Sequence, residues 1–163
     1  MEPILVSKSK ESTLRRAALD YLARREYSFC ELKQKLHAKF PTFKIESIHD
    51  IVCALREENL QSDERFVESY SRYRKSQGFG YKHIQHSLCR KKIEKWKIDE
   101  HLVADDPEWI EIAVKVVRKK RFGRQYDINI FERSKITRFM EGRGFFTHQI
   151  QKAIDLSNSV DLE

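Results

Sequence analysis

Glycine and proline are scarce in this 163-residue chain, with five of the first and three of the second. A sheet-rich fold draws on both for its tight turns, so the shortage argues for helices. Gly78, Gly80, Gly123, Gly142 and Gly144 fall at the ends of helical patterns. The three cysteines, Cys30, Cys53 and Cys89, are odd in number and lack Cys-x-x-Cys spacing, which points to a reducing, cytoplasmic setting where they act as small hydrophobes. No apolar stretch approaches the roughly 18 residues of a membrane helix, so no membrane partner is expected. Phosphate loops, nucleophile elbows and paired-histidine metal motifs are also missing. An enzyme is therefore disfavoured, and nothing calls for a cofactor. Residues Met1 to Lys10 carry scattered charges and a short apolar run, Ile4 to Val6, and read as a loose arm rather than a signal peptide.

What the chain does contain is a repeat. Tyr27, Phe79 and Phe131 lie 52 residues apart, as do Leu32, Ile84 and Ile136, and Leu36, Leu88 and Met140. Ile93 with Phe145, Ile98 with Ile150 and Leu102 with Ile154 keep the same offset. In a chain that is 40% hydrophobic one such triple is commonplace, and the clustered set is what carries weight. Apolar residues also recur at helical spacing in Leu14, Ala18, Leu22, in Phe66, Tyr70, Tyr73, and in Ala113, Val116, Val117. The expected fold is all-α, an elongated, bent stack of three tandem three-helix repeats, each resembling a helix-turn-helix unit. The expected boundaries are an arm at 1–11, repeats at 12–60, 61–105 and 106–157, and a tail at 158–163. Such stacks offer long flanks that suit binding better than they suit enclosing a catalytic cleft.

Local chemistry agrees with this layout. Ser28 followed by Glu31 is a capping box, with Tyr27 and Leu32 at the staple positions on either side. An offset of 52 puts Gly80 at the second cap, between Phe79 and Ile84. It puts Glu132, a poor cap, at the third, where the helix is expected to begin a few residues away. Ser62 with Asp63 and Glu64 opens another helix, and Asp106 before Pro107 marks a further start. The segment Arg124 to Asn129 is the longest candidate loop.

Net charge is +7, unevenly spread. Basic and acidic residues number 11 and 9 up to Ser62, 10 and 6 from Asp63 to Ala104, and 11 and 10 thereafter. Between Arg72 and Lys97 lie Arg72, Arg74, Lys75, Lys82, Arg90, Lys91, Lys92, Lys95 and Lys97 against the single acid Glu94. Lys115, Arg118, Lys119, Lys120, Arg121 and Arg124 form a second block without an acid. Cations solubilise helix faces and suit helix C-termini in any protein. The one-sided run nevertheless favours a nucleic-acid or nucleoprotein surface, because each neutralised phosphate releases counterions. An acidic protein would fit equally well. Tyr73, Phe79, Tyr81 and Trp96 lie near these runs and could stack on bases. The expected arrangement has Phe79 and Tyr73 inside, with Tyr81 and Trp96 half-exposed. His83, His86 and Cys89 recur every third residue but spread around their helix, which disfavours a metal site. The acids Asp105, Asp106 and Glu108 are better explained by capping than by paired-carboxylate chemistry.

The run Ala18-Leu19-x-x-Leu22-x-x-Arg25-x-Tyr27-Ser28-x-x-Glu31-Leu32, then Asp63-Glu64-Arg65-Phe66, Gly78-Phe79-Gly80 and Arg143-Gly144-Phe145, resembles the RecX family of bacterial regulators of the RecA recombinase. Lys119-Lys120-Arg121-Phe122-Gly123 matches a further phrase of that family with one residue inserted. The likeness spans about Ser12 to Leu156 and rests on the order and spacing of these motifs together. The chain departs from the pattern at Tyr81, where proline is usual, at Ser62, where aspartate is common, and at Gly142, which replaces a frequent arginine. The last change removes a cation from the third repeat.

The resemblance implies a non-catalytic DNA-repair protein of homologous recombination and the SOS response. It would dock in the groove of the RecA–DNA filament and restrain recombinase, ATPase and coprotease activities. Its partners would be the RecA filament and single- and double-stranded DNA, with the chain acting as a monomer. On that basis Arg72, Arg74, Lys75, Lys82, Arg90, Lys91 and Lys92 are expected to carry the middle of the contact, and Lys119, Lys120 and Arg121 to extend it. Phe79 and Gly80 would hold the second helix of the middle repeat in place. Other classes remain open: a sequence-independent or helix-turn-helix DNA binder acting without RecA, and a metal-dependent nuclease relying on Asp106.

Overall fold

The computed structural model describes residues 3–121 and 130–159. Among the described residues the backbone forms nine helices and no strand, so the protein is all-α. In chain order they are α1 (Pro3–Leu22), α2 (Phe29–Lys39), α3 (Ile45–Glu57), α4 (Asp63–Ser76), α5 (Tyr81–Arg90), α6 (Lys95–His101), α7 (Glu108–Arg121), α8 (Ile130–Gly142) and α9 (Thr147–Ser159). Two compact units emerge from their packing: Met1–Ser69 with Lys91–Ile93, and Tyr70–Arg90 with Glu94–Glu163.

In the first unit α1, α2 and α3 pack against one another in all three pairings. Leu14, Ala17 and Ala18 of α1, Leu32 and Leu36 of α2, and Ile48, Val52 and Leu55 of α3 recur at three- and four-residue intervals, so each helix presents one apolar stripe to a shared core. Tyr27 closes that core just ahead of α2. The start of α2 follows from Ser28, whose hydroxyl accepts from the Glu31 amide at 3.1 Å. Its partner in the expected capping box works differently: the Glu31 carboxylate accepts from Lys91 Nζ at 2.8 Å and from Arg25 at 3.4 Å. Asp63 meanwhile accepts from the Phe29 amide at 2.8 Å.

In the second unit α7, α8 and α9 pack together and α5 packs on α6. Trp109, Ala113 and Val117 of α7, Ile136 and Met140 of α8, and Ile150, Ala153 and Ile154 of α9 are buried. Asp106 Oδ1 accepts from the Glu108 amide at 2.9 Å, the capping role its place before Pro107 implies. Gln149 performs the equivalent service for α9, its Oε1 accepting from the Phe146 amide at 3.1 Å.

The 52-residue offset is a three-dimensional register. Leu32, Ile84 and Ile136, and Leu36, Leu88 and Met140, are buried in all three copies, as are all three of the offset pairs. Phe131 breaks the rule at 77% exposure. Tyr27 and Phe79 precede their helices, whereas α8 begins at Ile130, before Glu132. Five residues of helix then turn Phe131 about 140° away from Ile136, off the buried face. Helix ends keep the register too: Lys92 (φ 63°) and Gly144 (φ 87°), 52 apart, both enter the left-handed region that closes a helix.

At the termini α1 begins at Pro3, so the backbone of residues 3–10, expected as a loose arm, is helical. Met1, Glu2 and 160–163 lie outside the described residues, as do the expected helix end at Phe122-Gly123 and the expected loop Arg124–Asn129. No helix among the described residues is long and apolar enough to cross a membrane.

Candidate polyanion-binding cleft

Within the second unit, α7 carries Glu108, Ile112, Lys115, Val116 and Lys119 on one face, adjacent to the buried stripe of Trp109, Ala113 and Val117. The last part of α4 offers Arg72, Lys75 and Ser76, likewise on one face. With Lys120, Gln77, Gly78, Phe139 and Arg143 these two faces line a cleft of about 660 Å³. Among the described residues six cations and one acid face it, and the cations come from three distant parts of the sequence.

The two glycine motifs build one wall. Arg143 donates through one guanidinium nitrogen to the carbonyls of Gln77 at 2.8 Å and Gly78 at 3.1 Å, closing the end of α4. The amides of Gly80 and Lys82 donate back to the carbonyls of Arg143 and Gly144 at 2.8 and 3.0 Å. This satisfies orphan donors at the start of α5. A Cβ on Gly80 would lie 2.6 Å from the Gly144 carbonyl, and one on Gly144 would lie 2.3 Å from the His83 nitrogen, so only glycine permits the approach. Gly78-Phe79-Gly80 and Arg143-Gly144-Phe145 are therefore two halves of one contact. The Arg143 guanidinium also lies 5.0 Å from the Phe79 ring centre and 4.8 Å from that of Phe139.

The cations differ in freedom. Arg72, Lys115 and Lys119 are exposed and have no ion pair among the described residues. Lys75 donates to Glu108 Oε2 at 2.6 Å and rests 4.6 Å from the Trp109 ring. Lys120 sits 4.6 Å from the Phe139 ring.

Of the expected contact residues, Arg72, Lys75, Lys119 and Lys120 meet in the cleft. Arg74 does not line it; it donates to the Tyr70 hydroxyl at 3.0 Å and lies 4.8 Å from the Phe79 ring. Lys82 lies over Phe146 at 4.6 Å. Arg90 and Lys92 are exposed at the end of α5 and beyond it. Lys91 belongs to the first unit, paired with Glu31, their side chains 25% and 20% exposed. Burial alone would raise the Glu31 pKa, but the hydrogen bonds and charges of Lys91 and Arg25 outweigh it and hold the carboxyl below its ordinary value. The Arg121 side chain lies outside the described residues.

Lys115, Arg143 and Glu108 escaped the sequence reading as cleft residues. The helical-face spacing from Glu108 to Lys119 was the signal for two of them, and counting charge along the chain hides it.

Two aromatic expectations are corrected. Tyr73, expected inside, is 59% exposed, and Tyr81, expected half-exposed, is buried. The Phe66–Tyr70–Tyr73 stripe gives way on α4 to Val67 and Ser71, both buried, which turns Tyr73 outward. Tyr81 is covered by Trp109 and Phe146, with ring centres 6.2 and 5.8 Å away. Trp96 is also 59% exposed, and Phe79 is half-buried. His83 stacks on Phe79 at 4.2 Å, and burial, then Arg74, His86 and Arg143, lower its pKa. Among the described residues no group of three or more His, Cys, Asp or Glu could hold a metal ion.

Fold and cleft together define an all-helical tandem-repeat protein with a cationic recess suited to a polyanion. Comparison with known proteins gives the family. The model of the RecX second three-helix domain matches residues 62–102. A regulatory protein RecX of Mannheimia succiniciproducens is 37% identical over 130 residues, covering 79% of this chain and 84% of its own length. One from Pseudomonas putida is 34% identical over 132 residues, covering 81% and 83%. The crystal structure of RecX from Lactobacillus salivarius superposes with a TM-score of 0.76 at 23% identity, over 93% of this chain and 99% of that one, a likeness of fold. The chain belongs to the RecX family.

Proposed function

We propose that this chain is a negative regulator of the RecA recombinase that binds in the groove of the RecA–DNA filament and restrains its recombinase, ATPase and coprotease activities. The observation that carries the reading is the convergence of two separate basic blocks on one cleft, with Arg72, Lys115 and Lys119 free to meet phosphates. Family membership supports the regulatory role, and the repeats at 12–60, 61–105 and 106–157 would spread weak contacts along a periodic partner. Once one contact forms, effective concentration makes the others act with it. No step of this role requires catalysis, a cofactor or a second copy of the chain.

The test is a pull-down with RecA filaments, with and without nucleotide, and ATPase measurement on the same samples. Retention on filaments with falling ATPase activity is the expected result. Equal affinity for bare DNA and filament, with ATPase unchanged, would favour a DNA-binding protein acting without RecA.

A further inference from the structure

We propose that Tyr73 is a base-stacking residue that makes the cleft select single-stranded nucleic acid over duplex. The proposal rests on the cleft binding a phosphate backbone, as argued above, and adds which form of the polymer it takes. Tyr73 follows Arg72 on α4 and stands three residues before cleft-lining Ser76, so it flanks the cleft at its edge without lining it. At 59% exposure its ring stands open. The other aromatics around the cleft are occupied. Phe139 is covered by Lys120 and Arg143, Phe79 by Arg74, Arg143 and His83, and Trp109 by Lys75 and Tyr81.

A free aromatic face beside unpaired cations is the combination that holds single strands, because cations follow the backbone while unstacked bases lie on the ring. Duplex bases are already stacked on each other and present only their edges, so a duplex gains the phosphate contacts and not the stacking. The cleft volume of about 660 Å³ is of small-ligand size, which suits one sugar-phosphate chain passing Arg72, Lys115 and Lys119.

Fluorescence anisotropy with a labelled oligothymidylate and a hairpin duplex of equal phosphate number tests this on the full chain. Tyr73→Ala should weaken single-strand binding about five- to hundred-fold, leave duplex affinity within about two-fold, and leave the salt slope unchanged, because no charge is lost. Tyr73→Phe should bind as the parent does. Trp96→Ala, equally exposed but on α6, which contributes no residue to the cleft, should change neither affinity. Equal weakening on both polymers by Tyr73→Ala, no weakening on either, or a Tyr73→Phe variant as weak as the alanine one would overturn the inference. Arg72→Ala with Lys119→Ala separates the two levels. If that pair flattens the salt slope while Tyr73→Ala is silent, the cleft stands and stacking fails. If that pair changes nothing, the cleft reading fails and takes the stacking with it.

Discussion

Replacing Lys91 by methionine separates a structural cation from a binding one. Lys91 Nζ lies 2.8 Å from Glu31 Oε1, with side-chain exposures of 25% and 20%. Exposed pairs contribute about 0–1 kcal/mol, and breaking a fully buried pair costs about 3–5. This pair falls between those limits, and Glu31 would keep Arg25 at 3.4 Å, so the loss belongs near the lower one. Methionine also preserves the apolar stem that runs beneath the ammonium. The expected cost is about 1 kcal/mol near neutral pH, or roughly 2–4 °C in melting temperature for a chain of this size. Glu31 has a folded pKa below its ordinary value. Its stabilising contribution is therefore complete above the unfolded pKa of about 4.3 and is lost as pH falls through the folded value. Urea titrations followed by circular dichroism should show a gap between Lys91→Met and the parent near neutral pH that narrows in acid. A gap of equal size at both, or none near neutral pH, would refute the assignment. Lys92→Ala, exposed beside it, should leave stability unchanged, because lysine already places a Cβ on that left-handed backbone and alanine adds nothing to it.

Other perturbations probe the seam and the cleft. Gly144→Ala should cost at least about 3 kcal/mol, combining a strained φ of 87° with a Cβ 2.3 Å from the His83 nitrogen, and thermal melting checks it. Gly142→Ala, two residues earlier in open space, should instead raise stability by about 0.5–1 kcal/mol in the same assay. Lys119→Ala should flatten the salt dependence of duplex binding by about 0.9 in log–log slope if the lysine meets one phosphate. Glu108→Gln removes the only acid lining the cleft among the described residues and frees Lys75, so DNA should bind more tightly and the slope should steepen by up to about 0.9.

Much of the helical skeleton was legible in the sequence because its signals are local. Ser28, Ser62 and Asp106 cap where their side chains suggest, since a hydroxyl or carboxylate reaches an amide two or three residues away whatever surrounds it. The 52-residue offset marked buried positions because identical faces must meet identical neighbours. Tyr73 and Tyr81 were misread because periodicity names a face and leaves open which face finds a partner. Tyr81 found Trp109 and Phe146, 28 and 65 residues away, while Ser71 took the core position Tyr73 was expected to fill.

By itself the sequence determined an all-α chain and its caps through spacing within a turn or two of helix, its repeat through one recurring offset, and the excess of positive charge through composition alone. Only the tertiary structure decided which cations work together. Charge density along the chain ranked Lys91 with Arg72, yet folding gave Lys91 a carboxylate and left Arg72 facing Lys115 and Lys119. Electrostatic partnership falls off over a few ångströms of space, and distance along the backbone does not measure it.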